Sequence, residues 1–166
     1  MAARTEQLAQ RFEYSNQRFI ATVESISDAD WSNVCPAENW TVGVTAHHVG
    51  DSYSMAIDVL QALAVGLSRP VTIDMLNELN AEHARKHADC TRDETSRLLR
   101  IEGARAAAAI RSLKEESLDT THFMPFLGNT PVSLEQFVDI CLIRHHDAHL
   151  PSIRDAAPSA SSASYR

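Results

Sequence analysis

The sequence predicts an all-α helix bundle, and three observations carry that prediction. Four long segments repeat their apolar residues at spacings of three, four and seven, the period of an amphipathic helix. Only five glycines interrupt a chain rich in alanine and leucine, 44% of which is apolar, so local propensity favours helix. The connectors are mostly short, which lets facing helices share one core. At 166 residues the chain suits a single domain that buries roughly two thirds of the surface its unfolded form exposes.

Helix one is expected over residues 5–26, where Leu8, Phe12, Phe19, Val23 and Ile26 form the stripe and Arg11, Gln17 and Glu24 lie off it. The turn formers from Ser27 through Pro36 and Asn39 predict an irregular connection, bracketed by Trp31 and Trp40, which cover one end of the core. Helix two should run from about Thr41 to Val65, ahead of Gly66. By phase, His47 falls in a polar row with Asp51, Ser54 and Asp58, whereas His48 aligns with Ser52, Met55, Val59 and Leu63 and points inward. Asp51, one turn after both, either orients a ring N–H from behind or pairs with His47 at the surface.

A shorter helix over residues 74–88 carries Leu76, Leu79, His83 and His87. Helix three follows over 91–114, opened by a capping box at Thr91-Arg92-Asp93-Glu94. Gly103 within it allows a neighbouring helix to approach closely. Residues 118–133, with Phe123, Pro125, Phe126, Gly128 and Pro131, are expected to form a loop folded over one bundle end. Helix four spans 134–154 with a core row of Leu134, Val138, Cys141 and His145, then Ala148 or His149, while His146 lies on a more polar flank with Glu135 and Asp139. After Asp155 the composition becomes low-complexity, so the domain is assigned to residues 1–155 and a tail to 156–166 that cannot order itself alone.

The chemistry concentrates in Ile143-Arg144-His145-His146-Asp147-Ala148-His149-Leu150. His145 and His149 are four apart and share one helical face, which is metal-ligand spacing. One pair cannot complete a site, and His48 is the candidate third ligand; that requires helices two and four to be adjacent and antiparallel. Three neutral imidazoles without a carboxylate suit a divalent ion such as Zn(II) or Ni(II) and leave a position open. A second pair, His83 and His87, is flanked by Glu82, Arg85 and Lys86, so a solvated face is its default reading. His122 in the loop and Asn80 on the His83 face are lesser candidates. No nucleophile–base arrangement, paired carboxylates or phosphate-binding loop is evident. A formal charge of -7 argues against a nucleic-acid partner. The first residues have no apolar leader core and no run of about eighteen apolar residues occurs, so a cytoplasmic chain without a membrane partner is expected. Cys35, Cys90 and Cys141 are odd in number and widely spaced, and are read as free thiols.

Asp30-Trp31, Asn39-Trp40-Thr41-Val42 with Ala46-His47-His48-Val49, and Pro131-Val132-Ser133-Leu134 leading into His145-His146-Asp147-Ala148-His149 together resemble the DinB-like (DinB/YfiT) superfamily of metalloenzymes. The likeness spans about residues 28–153 and is nearest in look to the branch containing mycothiol-dependent maleylpyruvate isomerase and related low-molecular-weight thiol transferases. In that pattern a metal-binding His follows the Trp of the Trp-Thr-Val opening by eight residues, which is His48, and the His-x-x-x-His of the last helix matches His145 and His149. This chain departs from it at Gly43-Val44-Thr45 and at Pro151, and the proline should end or kink helix four just past His149. The resemblance implies a four-helix bundle of up-down-down-up course, with the short helix in the crossover between helices two and three, and a homodimer. It further implies a divalent metal, zinc or nickel, holding a low-molecular-weight thiol or another small-molecule substrate, and hence a thiol transferase. A hydrolase with the same ligands and a noncatalytic metal-binding stress-response module are the alternatives.

Overall fold

The computed structural model describes residues 3–128 and 130–160. Within them, α1 spans Arg4–Ser25, α2 Asp28–Trp31, α3 Val42–Ala64, α4 Ile73–Lys86 and α5 Arg92–Arg111. An antiparallel hairpin, β1 Thr121–Phe123 with β2 Pro131–Ser133, leads into α6 Leu134–Val138, and α7 spans Leu150–Ala156. Each helix from α2 to α6 starts on a serine or threonine whose oxygen accepts a backbone N–H of the first turn. At Thr91 with Glu94 and at Ser133 with Gln136 the capping is reciprocal, as expected for the first of these.

Cross-helix contacts fix the course of the bundle. Arg111 pairs with Glu6 and Glu13, and Arg100 with Glu24, so α5 runs antiparallel to α1. Gly43 at the start of α3 lies against Trp31, whose indole N–H donates to the Cys90 carbonyl just ahead of α5 at 2.9 Å, and Gly50 lies against Leu98 and Leu99, so α3 and α5 run parallel. Arg11 with Asp139, and the Ser15 hydroxyl donating to the Ile143 carbonyl, set the last segments parallel to α1. The result is the up-down-down-up four-helix bundle, with α4 in the crossover between α3 and α5. No helix among the described residues is long and apolar enough to cross a membrane.

At the centre, the Tyr53 hydroxyl donates to Asn16 Oδ1 at 3.2 Å, and the Asn16 amide donates to the Leu99 carbonyl at 3.0 Å. This buried chain of hydrogen bonds ties three helices together, with Phe12 edge-on to Tyr53. Gly103 makes room for it, because a Cβ there would collide with the Asn16 amide.

The last helix is not the continuous rod that apolar spacing predicts. After α6 the chain makes a π-helical turn over Asp139–Ile143, with the Arg144 N–H donating to the Asp139 carbonyl, then a 3-10 turn over His145–Ala148 before α7 restarts. Pro151 supplies a physical reason for the restart at α7. It cannot donate to the ladder and its ring crowds the carbonyl four residues back, so it is accommodated in the first turn of a new helix. Phase therefore slips. Leu142, Ile143 and His146 are buried, whereas Cys141 is only half-buried. The loop expected over 118–133 contains the short hairpin, its turn supported by Gly128 at φ +80°. Of the expected tail, residues 156–160 are packed: Ala157 and Ala160 are buried and Ser159 hydrogen bonds to Asp30. This segment orders against α2 rather than alone; residues 161–166 lie outside the described residues.

Gly103→Ala is expected to destabilise the protein by about 1–3 kcal/mol, since the methyl must displace Asn16 from a well-packed buried network. Urea denaturation measures this, and a wild-type midpoint would show that Asn16 repacks at no cost.

Candidate metal centre

His48 sits two turns into α3, and the 3-10 turn after the π-helical segment presents His145 and His149 to it. Ring centroids are 5.5 Å apart for His48 and His145, 5.2 Å for His48 and His149, and 5.2 Å for His145 and His149. One ring nitrogen from each lies within 4.8 Å of the others. The three residues singled out from the sequence thus converge, although the last two reach the site from a tightened turn rather than from a regular α-helix.

Each ring has a distinct set of neighbours. Glu38 Oε1 lies 2.8 Å from His149 Nδ1, so an Nδ1–H directed at that carboxylate leaves Nε2 free to ligate. Glu38 comes from a tight loop closed by Cys35 N–H donating to the Trp40 carbonyl and Val42 N–H donating to the Asn33 carbonyl, with Asn39 in the left-handed region at φ 58°. The same loop sets the Trp40 ring 5.4 Å from that of His48. His145 Nε2 is buried without a hydrogen-bond partner. Burial, then repulsion from His145 and His149, pushes the His48 imidazole down to about 3; burial and His149 push His145 down to about 4. Burial works to raise the Glu38 carboxyl, but Ser152 and His149 outweigh it and hold it below the ordinary range. Two buried imidazoles that resist protonation, one with an orphaned nitrogen, and a third imidazole backed by a carboxylate fit a borderline divalent cation.

Beside the triad opens a cavity of about 610 Å³, walled by Met55, Val59, Leu76, Phe126 and Phe137, with Asn80 and Arg144 also on its lining. A larger groove of about 770 Å³ runs along the opposite side of the last segments, past Arg11, Arg18 and His146. It contains none of the clustered imidazoles, so the smaller, more apolar cavity is the one adjoining the chemistry.

Other polar residues lie where the sequence does not predict them. His47, expected in a polar row, is only 7% exposed, and His83, expected on a solvated face, is only 5% exposed. The crossover helix α4 covers that side of α3, which a helix considered alone leaves to water. Asp51 orients neither His48 nor His47: its carboxylate lies 3.0 Å from His83 Nδ1. His146, expected on a polar flank, packs 5.4 Å from the Phe19 ring and contacts Ser15. His122 lies on β1 beside Thr120, 3.0 Å from its hydroxyl, and takes no part in the cluster. Glu38 was not foreseen, and its one sequence signal is a lone carboxylate between the turn residues Pro36 and Asn39 next to Trp40.

A helical bundle holding three converging imidazoles at the edge of an apolar cavity defines a class of candidate metalloproteins. The chain belongs to the DinB superfamily, whose family model matches residues 11–151. Among solved structures it is similar to YfiT from Bacillus subtilis, described as a probable metal-dependent hydrolase with an unusual four-helix bundle topology. The two share 17% sequence identity at a TM-score of 0.71, over 94% of this chain and 88% of that one, a likeness of fold. No curated protein sequence matches the chain.

The depressed imidazoles make metal-free stability depend on pH in a defined direction. Unfolded histidines take up protons near 6.5, whereas His48 and His145, together with His47, which burial pushes down to about 4, resist protonation when folded. Their contribution is complete above 6.5 and is lost as pH falls towards the folded values. Between pH 6.5 and 4.5, above the ordinary carboxylate range, the urea midpoint of metal-free protein should drop progressively. A flat midpoint across that window would show that the folded rings accept protons freely.

Proposed function

We propose that this chain is a divalent-metal-dependent enzyme acting on a small molecule, and that its reaction is transfer of a low-molecular-weight thiol. The observation that carries the reading is the cluster of His48, His145 and His149, of which His48 and His145 line the apolar cavity. A metal serving only as a structural staple has no use for an adjoining space of about 610 Å³. When bound, zinc or nickel would supply Lewis acidity, lowering the pKa of a thiol at its open position.

The protein's own groups have separable parts. The three histidines hold the cation, and Glu38 keeps His149 in the tautomer that can ligate. Met55, Val59, Leu76 and Phe137 exclude water from the body of an apolar acceptor, while Arg144, paired with Asp139, lies on the same lining. In the transfer, the thiol releases its proton to solvent and its sulfur forms a bond to an electrophilic carbon. The leaving group departs with the electron pair of the bond that breaks.

Hydrolysis with the same ligands is the second reading, since a cation with an open position can activate water as well as a thiol. The description of YfiT as a probable metal-dependent hydrolase points the same way.

Zinc-loaded protein should conjugate a low-molecular-weight thiol to an activated electrophile, and His145→Ala should remove both that activity and one equivalent of bound metal. Ester cleavage that proceeds at the same rate without thiol would favour hydrolysis, and full metal occupancy in His145→Ala would defeat the site assignment. Glu38→Gln should weaken zinc binding at this site about 10–100-fold, as measured by competition with a chelating dye.

A further inference from the structure

We propose that His47, His83 and His87 form a second divalent-cation site, distinct from the first. One ring nitrogen of each lies within 4.8 Å of the others. Their centroids are separated by 5.1 Å for His47 and His83, 4.2 Å for His47 and His87, and 4.8 Å for His83 and His87. A cation bound at about 2.0–2.1 Å spans ligands up to roughly 4 Å apart, so ring rotations suffice to close the remaining gap.

Two further observations point to a ligand rather than to packed rings. His83 Nε2 and His47 Nδ1 are both buried and have no hydrogen-bond partner. Such atoms are uncommon in folded proteins, because an unsatisfied buried nitrogen forfeits its hydration for nothing in return. In addition, His83 Nδ1 faces Asp51 Oδ2 at 3.0 Å, the arrangement in which a carboxylate fixes the tautomer of a metal-binding histidine and frees its other nitrogen. The orphaned nitrogen of His83 is the one that this tautomer leaves as a lone-pair donor. A carboxylate thus stands behind one histidine in each group, Asp51 here and Glu38 in the first.

The backbone delivers the three rings by a simple route. His47 comes from α3, while His83 ends the third turn of α4 and His87 is its C-terminal cap residue, four positions on. Their side is open to a surface cavity of about 530 Å³ lined by Lys86, Cys90, Glu94 and Arg97, which gives an ion a path of entry. Three imidazole donors favour Zn(II), Ni(II) or Cu(II) over Mg(II) or Ca(II), which prefer oxygen.

The test uses the full chain, stripped with a chelator, reloaded with excess Zn(II), desalted and analysed for metal by mass spectrometry. Wild type should hold two ions per chain, His87→Ala one, His145→Ala one, and the double variant none. A wild-type chain holding a single ion that His145→Ala removes, or a His87→Ala variant that holds two, would overturn the second site. A single wild-type ion lost in His87→Ala but retained in His145→Ala would uphold it and defeat the first site instead. His87 is half-exposed at a helix end, and circular dichroism melting checks that its variant folds. In wild-type protein the His87 ring nitrogen resonances should shift during zinc titration; their constancy through two equivalents would also overturn the proposal.

Discussion

A buried imidazole nitrogen with nothing to bond costs on the order of 1–3 kcal/mol, and one end of this bundle holds three of them: His47 Nδ1, His83 Nε2 and His145 Nε2. At His47 and His145 protonation does not relieve the cost, because burial and neighbouring rings disfavour the charged form. A divalent cation is one class of partner suited to such nitrogens. The rest of the fold is arranged to hold these nitrogens in place. The Tyr53–Asn16–Leu99 hydrogen bonds lock three helices at mid-bundle, and the caps at Thr41 and Thr72 start the helices that carry the rings.

The interrupted last helix belongs to the same arrangement. An uninterrupted α-helix advances about 100° per residue. One extra residue in the π-helical turn over Asp139–Ile143 therefore rotates everything downstream by about that angle. The consequence is a division of neighbours: His145 and His149 face His48, while His146 turns towards Phe19 and Ser15 on α1. Such π-turns recur at functional sites, where the backbone defect aims side chains that a regular helix would misplace.

Much of this was legible in the sequence, and the parts that were not share a cause. Apolar spacing marked the four long helical regions to within a few residues at most boundaries, and family-like motifs together with phase selected His48, His145 and His149. Phase counting treats each helix as regular and as facing one core. It failed for His146, where the ladder is not regular, and for His47, where α4 provides a second covered face. Charged neighbours made His83 look solvated, yet Glu82 and Arg85 pair with each other on the outside of the same helix while His83 turns in. Glu38 escaped because its role depends on a loop closed by backbone hydrogen bonds, which carry no periodic signature.

The two groups of histidines are also not independent. The His83 ring lies 5.1 Å from that of His47 and 5.4 Å from that of His48, so it stands between them, with Trp40 6.3 Å away. Charge at one group is felt at the other through little intervening material, and a low local dielectric strengthens that repulsion. Each group answers with a carboxylate, Glu38 behind His149 and Asp51 behind His83, both held below their ordinary pKa range. With one acid per group rather than a shared pair, a cation bound at either would find a compensating charge beside it.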